Sequence, residues 1–512
     1  MSRRQAPPSE SPQGMSRRFR IALGPSLAFA VLVVLALAFI PAVSADEPFN
    51  LTILHTDDTH ARIESFTESN VLQGGVARRY TAIQQVKAEG GNVLLVDAGD
   101  AFQGTLFFNY WQGQEAAHFM NALGYQAMAV GNHEFDSGPA TLARFIQATD
   151  FPVLSANIDA SAQVSLTGLI EPYTVLEVGG ESVGVFGLTT EDTSYISSPG
   201  PDVIFNNVTT SAQATVDTLR GMGVDKIVAL THIGYLEDQT LAAAVSGIDV
   251  IVGGHSHTPL GDMPNAQGDY PTVITSPAGE PVLIVSAWEW GRYLGRLDVT
   301  FDDMGVVQSF EGSPIFIDVN VAEDPAIAAD VAVWKEPVLE LSNMVIGATD
   351  VKLDGTRTLV RTQETNLGNL ICDAMLWKTV GAGSQICITN GGGIRATIDP
   401  GEVTYGEVLT VLPFGNQIST FGLMGVDVLA SLENGVSRWA NTDGRFPQVA
   451  GMRYAFDPDL PVGSRILSAE IKNSDGSFSP IDPDEIYIVA SNDFMRRGGD
   501  GYTLFQTNAI DP

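Results

Sequence analysis

The chain has 512 residues, is 44% hydrophobic, and carries 27 basic against 60 acidic side chains, a net charge of −33. That length and apolar content suffice for two or more cores of the usual size, about 100 to 200 residues each. The charge argues against a binder of nucleic-acid polymers or anionic membranes, so an anionic ligand has to be met by metal ions or by a few placed arginines.

In chain order, Arg17, Arg18 and Arg20 precede an apolar run from Leu27 to Ile40 that ends in Ala42-Val43-Ser44-Ala45. This is the pattern of a cleavable export signal over residues 1–45, with the mature chain starting at Asp46. The run is shorter than the roughly 20 residues a spanning helix needs, so the mature chain is expected to have no permanent membrane span. Ser16-Arg17-Arg18-Phe19 resembles a twin-arginine signal and leaves the export route open. The expected destination is the periplasm, the cell envelope or the medium. No apolar tail follows Phe505, so a lipid anchor of the GPI kind is not expected.

From Leu51 to about Ile317, short apolar runs alternate with helical patterns, which predicts an α/β unit. Leu51–Leu54, Val93–Val96, Ala127–Val130, Ile227–Leu230 and Val250–Val252 read as buried strands, and Gly75–Glu89 and Ala116–Leu123 as helices. Glu323-Asp324-Pro325 is a helix start signal for a connecting helix over about Val321–Val345. A second α/β unit follows from about Ile346 without the histidine pattern of the first. The expected division is thus 46–320, 321–345 and 346–512.

Five polar blocks sit directly behind strand-like runs: His55-Thr-Asp-Asp58-Thr-His60, Asp97-Ala-Gly-Asp100, Gly131-Asn132-His133-Glu-Phe-Asp136, Thr231-His232-Ile-Gly234 and Gly253-Gly254-His255-Ser-His257. One such block alone is more often core or turn chemistry than a site. Strand ends of an open α/β sheet gather in one crevice, so five blocks of one type predict convergence. Imidazole, carboxylate and amide together suit a borderline divalent ion such as zinc, manganese or cobalt. Asp58, His60, Asp100, Asn132, His232, His255 and His257 are enough for two ions if one carboxylate is shared, and such a pair can clamp a phosphoryl group. His118 lies in a helical stretch and reads as a packed or surface residue.

In the second half, Arg357, Arg361 and Arg395 stand near Asn390-Gly-Gly-Gly-Ile-Arg395, where glycines permit close backbone approach and guanidinium groups suit phosphate or carboxylate. Cys372 and Cys387 are the two cysteines. In an exported chain they either close, contributing about 3 kcal/mol in the chain-entropy model, or remain buried thiols.

The five blocks in this order resemble the calcineurin-like metallophosphoesterases. Leu51-Thr-Ile-Leu-His-Thr-Asp-Asp58, Asn132-His-Glu-Phe-Asp136, Val411-Leu-Pro-Phe414-Gly-Asn and Asn492-Asp-Phe494-Met-Arg-Arg-Gly-Gly-Asp500-Gly-Tyr resemble the 5'-nucleotidase family of the bacterial secreted type, over roughly residues 50–506. The resemblance implies an N-terminal β-sandwich flanked by helices, a linker helix and a C-terminal α/β nucleotide-recognition domain. It implies one metal on Asp58, His60, Asp100 and His257 and a second on Asp100, Asn132, His232 and His255. His133 would face the substrate phosphate with Asp136 behind it, although Asp136 also suits a helix cap. Phe414 and Phe494 would sandwich the base, Asp500 would meet the ribose, and Arg357, Arg361, Asn390 and Arg395 would line the pocket. A disulfide between Cys372 and Cys387 is implied in the same way, as is movement of the nucleotide by a change in domain angle. Asp57 departs from the asparagine usual there. The expected activity is hydrolysis of nucleoside 5'-monophosphates, with di- and triphosphates as further substrates. Cyclic 2',3'-nucleotides, UDP-sugars, dinucleotides, sulfur compounds in a more distant branch, and a non-catalytic nucleotide binder are the alternatives. The sequence carries no sign of oligomeric state.

Overall fold

A computed structural model describes residues 48–510 apart from Ser69, Gly415 and the side chain of Tyr195. The export signal assigned to residues 1–45 lies outside the described residues. The N-terminal half is built on two sheets. In the first, strands run in the spatial order Val307–Gly312, Tyr293–Phe301, Phe49–Thr56, Val93–Asp97, Ala127–Ala129 and Val153–Leu154. In the second the order is Thr272–Thr275, Pro281–Val285, Val250–Gly253, Lys226–His232, Glu181–Thr189 and Tyr173–Val178. The central strands of both are parallel. Parallel strands covered on both faces read as unbroken apolar runs rather than alternating ones, which is why Val93-Leu-Leu-Val96 and Val250-Ile-Val252 were legible. Ile53, Val96, Leu230, Val252 and Val285 pack between the sheets. Helices, among them Val76–Ala88, Gln114–Leu123, Pro139–Ala148 and Val208–Gly221, cover the outer faces.

The helix Pro325–Ser342 starts where the sequence places its signal: Asp324 Oδ1 accepts from the amides of Ala326 and Ile327, and Pro325 occupies the first turn, where its missing N–H leaves no bond unmade. It lies against the N-terminal half. Trp334 packs on Trp111 with ring centroids 4.4 Å apart, and Lys335 pairs with Glu64 at 2.6 Å. His118 Nε2 meets Asp330 Oδ2 at 2.6 Å, so this histidine ties the connecting helix down rather than serving a site.

The C-terminal half carries a four-stranded sheet in the order Ile418–Met424, Ile486–Asn492, Ile386–Asn390 and Pro447–Ala450, with the helix Asn366–Lys378 against it. Ile388, Phe421, Leu432, Val489 and Phe505 form its main core. The α/β class read from the sequence therefore holds in both halves. The disulfide does not. Cys372 and Cys387 are free buried thiols, with Cys372 Sγ donating to the carbonyl of Gln448 at 3.2 Å. Both thiols sit in a small buried cluster with Met375, Ala450 and Ala490. Among the described residues no helix is long and apolar enough to cross a membrane.

Candidate active site

The five polar blocks meet at one edge of the sandwich. Asp58 and His60 follow Phe49–Thr56, Asp100 follows Val93–Asp97, Asn132 and His133 follow Ala127–Ala129, His232 ends Lys226–His232, and His255 and His257 follow Val250–Gly253. The backbone there is strained. Asp58, His60, Asp100, His255 and His257 take φ of 49°, 48°, 59°, 77° and 48°, a region that costs a non-glycine residue about 1–3 kcal/mol. The loops hold one another in this state: the Asp58 amide donates to the Gly99 carbonyl and the His60 amide to Asp100, both at 3.0 Å. Two glycines make the approach possible, because a Cβ on Gly99 would lie 2.9 Å from His232 Nδ1 and one on Gly131 would lie 2.2 Å from Asp100 Oδ1.

Three of the rings are fixed from behind. His60 Nδ1 meets the Phe102 carbonyl at 3.0 Å, and His232 Nδ1 meets the Ala98 carbonyl at 2.8 Å. His257 Nδ1 meets Glu289 Oε2 at 2.7 Å. Since those partners only accept, the Nδ1 atoms donate and the Nε2 atoms face inward. His60 Nε2 and His257 Nε2 are 3.1 Å apart, with Asp58 Oδ1 3.3 Å from His257 Nε2. Two inward nitrogens at that separation repel unless a proton or a metal ion lies between them. On the other side, His232 Nε2 is 3.0 Å from Asp100 Oδ2 and 3.2 Å from Asn132 Oδ1, and His255 Nδ1 is 2.8 Å from the same Asn132 oxygen. Three groups have the spacing to hold an ion: Asp58, His60 and His257; His60, Asp100 and His133; and Asp100, His232 and His255. The donor set is nitrogen and oxygen without thiolate, which fits borderline divalent ions.

Burial pushes the His60 imidazole down to about 4 and the His255 imidazole to about 3, so both are neutral at pH 7, as metal ligands must be. Burial lowers His133 too, but the carboxylates of Asp100 and Asp136 outweigh it and hold this ring at about 9. Asp136 Oδ2 lies 2.5 Å from His133 Nδ1 while its Oδ1 accepts from Ser197. The helix that follows is capped by Gly138, so Asp136 is not its cap.

Two carboxylates went unnoticed in the sequence. Glu134 accepts four backbone amides, those of Gly131, Asp100, Ala101 and Phe102, at 2.7–3.1 Å, and so fastens two of the site loops together. It stands inside one of the five polar blocks, and only its contacts reveal its part. Glu289 lies between Trp288 and Trp290, with no local signal at all. Asp57 is buried behind Asp58, accepting from the Ala287 amide and the Ser286 hydroxyl.

In the C-terminal half, Asn390 Nδ2 donates to Asp500 Oδ2 at 2.7 Å, and Arg395 lies 5.2 Å from the centroid of Phe414. Burial, followed by the charges of Arg357 and Arg395, lowers the Arg361 guanidinium, placing the three arginines in one field. The Phe494 ring lies against Gly499, beside Asp500, and Phe414 and Phe494 are both exposed. The charges of Asp493 and Arg497 reach His133 and His255, so this half faces the histidine cluster. A cleft of about 1040 Å³ between the halves is lined by Ala61, Gln103, Asn109, Lys335, Phe414 and Asn492. The metal-type residues lie beside it rather than on its walls.

Residues 51–259 match the calcineurin-like phosphoesterase family and residues 345–507 the 5'-nucleotidase C-terminal domain. The chain is 41% identical over 494 residues to the 5'-nucleotidase of Diplobatis ommata, covering 90% of this chain and 85% of the relative. It is 41% identical over 500 residues to the trifunctional nucleotide phosphoesterase protein YfkN of Bacillus subtilis, covering 91% of this chain but only 33% of that longer relative. Among solved structures, the 5'-nucleotidase precursor from Thermus thermophilus aligns with a TM-score of 0.68 at 49% identity, over 90% of this chain and 93% of the other. With identity at this level across both halves, the chain belongs to the 5'-nucleotidase family.

Proposed function

We propose that the protein is a metal-dependent 5'-nucleotidase of the bacterial secreted type that hydrolyses nucleoside 5'-monophosphates, and also di- and triphosphates, to release phosphate. The reading rests above all on the inward nitrogens of His60 and His257, 3.1 Å apart beside Asp58, with the Asp100, His232 and His255 group adjoining. Asp58, His60, Asp100 and His257 would hold one divalent ion and Asp100, Asn132, His232 and His255 the other, with zinc, manganese or cobalt suited to both. Such ions would supply Lewis acidity to a phosphoryl oxygen and to the attacking water.

The chain's own groups orient and stabilise. His133, kept protonated at neutral pH by Asp100 and Asp136 against the effect of burial, donates to the charge that develops on the phosphoryl group. Phe414 and Phe494 stack on the base, Asp500 accepts from the ribose hydroxyls, and Arg357, Arg361, Asn390 and Arg395 line the nucleoside pocket. Stacking tolerates any base, since every base has a π-face. The domains are 46–320 and 346–512, joined by 321–345, and a change in their angle carries the nucleotide to the metals. Cysteines placed at Asn109 and Tyr405, whose side-chain tips meet at 3.1 Å, and joined by a short bifunctional thiol reagent then stop turnover; full activity of the cross-linked protein overturns the motion. Export with cleavage near Ala45 rests on the sequence pattern of residues 17–45.

Phosphate release from AMP by residues 46–512, with and without EDTA, tests the reading against ribose 5-phosphate and bis(p-nitrophenyl) phosphate. Metal-dependent hydrolysis favouring AMP supports it. The Bacillus subtilis relative, named a trifunctional nucleotide phosphoesterase, favours a second reading in which more than one kind of nucleotide phosphoester is cleaved, with the cyclic 2',3'-nucleotides of the sequence reading as the candidate diester. Hydrolysis of the diester alone replaces the first reading with that one.

A further inference from the structure

We propose that Glu289 is a positioning residue that acts through His257 to set the affinity of one metal cluster, the one built on Asp58 and His60, and leaves the other cluster unaffected. The inference rests on the metal reading above and concerns how the two clusters differ.

The His257 side chain is 35% exposed, whereas that of His232 is fully buried. A buried ring is oriented by packing, but one open to solvent needs a directional bond. Glu289 provides it, with Oε2 2.7 Å from His257 Nδ1. Its other oxygen accepts from Arg292 Nη2 at 2.9 Å, so the carboxylate is held at both ends. Arg292 is in turn fixed by Glu68 at 2.6 Å and lies 4.3 Å and 4.8 Å from the ring centroids of Trp288 and Trp290. Both tryptophans take left-handed φ, 74° and 59°, which turns the Glu289 side chain out of a strap that is otherwise tightly tied.

The strap is fastened to the loop that carries Asp58 and His60. The Trp290 amide donates to the Asp58 carbonyl at 2.7 Å, and the Ala287 amide donates to Asp57 Oδ1 at 2.6 Å. Glu289 therefore takes its position from the same loop whose ligands it must match. The second cluster is built differently. His232 is backed by a backbone carbonyl and His255 turns its Nδ1 inward to Asn132, so neither ring leans on a carboxylate from behind. A carboxylate behind a ligating imidazole fixes its direction and raises its basicity, and its loss typically lowers metal affinity 10–100-fold.

The test is titration of metal-stripped protein with Mn²⁺, read calorimetrically, on wild type, Glu289→Ala, Glu289→Gln, His257→Ala and the Glu289→Ala/His257→Ala double variant, with the melting midpoint of each metal-free protein recorded. Wild type is expected to bind two ions; failure to bind any overturns the metal reading itself. Glu289→Ala is expected to weaken one binding step by about 10–100-fold and leave the other unchanged. Glu289→Gln, which keeps one acceptor for His257 Nδ1 but loses the charge and turns its amide nitrogen toward Arg292 Nη2, recovers only part of that loss. In the His257→Ala background, removal of Glu289 has no further effect on that step. Equal weakening of both steps, no weakening of either, or the same loss with His257 already absent overturns the proposal. The last of these outcomes assigns Glu289 to the strap alone. Arg292 retains Glu68 in every variant, and the melting midpoints separate lost affinity from lost fold.

Discussion

In the N-terminal half Asp58 and His232 are fully buried, Asp100 and Asn132 are 1% exposed, and the loops that carry the site take backbone angles that only mutual hydrogen bonding sustains. In the C-terminal half Phe414, on a turn, and Phe494, in the short helix Asp493–Arg496, stay 43% and 39% exposed, and Arg357 and Arg395 are exposed as well. The difference follows from the two tasks. Donors that hold ions and orient a phosphoryl group must be fixed before substrate arrives, and strand ends of a packed sandwich supply that rigidity. On the proposed function, the groups that grip a base must be open to receive it.

The sharpest way to break this comparison is at Asp100, the one carboxylate common to two of the three ion-holding groups. Asp100→Ala is expected to lose both ions and on the order of 10⁴-fold or more in kcat, since most of the rate acceleration goes with them; metal analysis and AMP turnover check it. Retention of two ions would mean that the clusters are independent. Next in size, His133→Ala should lower kcat by about 10²–10³-fold while both ions remain bound. Asp136 Oδ2 accepts from His133 Nδ1 and favours the protonated ring, so activity that needs this proton is lost toward alkaline pH. Asp136→Asn removes one raising charge, and the alkaline limb of kcat/KM should move toward neutrality.

On the open side, Phe414→Ala or Phe494→Ala should raise KM for AMP by about 5- to 150-fold, the equivalent of roughly 1–3 kcal/mol of stacking, with little change in kcat at saturation. Ribose 5-phosphate, which has no base, should show no such effect. An equal loss for both substrates would mean that the rings serve packing. The smallest effect concerns the rigidity of the sandwich itself. Burial raises the Asp249 carboxyl well above its ordinary value while its Oδ2 accepts from the Ile227 amide at 2.7 Å. A group raised in the folded state contributes stability below its unfolded pKa and loses it as pH rises through the folded one. Asp249→Asn keeps an acceptor without the charge, so its melting midpoint should exceed that of wild type at alkaline pH and converge with it as pH falls toward the ordinary carboxylate range.

Much of the site was legible because its residues sit in blocks directly behind apolar strands. Asp58, His60, Asp100, Asn132, His232, His255 and His257 could be named from that placement, as could the cap of the connecting helix at Asp324, because both are local patterns. Glu134 was passed over although its block was read, since four backbone amides converging on one carboxylate leave no mark in a sequence. The cysteine pair was misjudged for a related reason. An exported chain with two cysteines suggests a bridge, and only the packing shows two buried thiols with Cys372 donating to a carbonyl.

The sequence by itself determined the α/β class, the start of the helix at Pro325 and the donor types at the strand ends, because strand, helix and cap signals act over a few neighbouring residues. The tertiary structure alone decided which donors face one another, which loops take left-handed backbone to allow it, and that Glu289 stands behind His257 while His232 leans on a carbonyl. Those relations join residues far apart in the chain, and they exist only once the two sheets have packed and brought their strand ends to one edge.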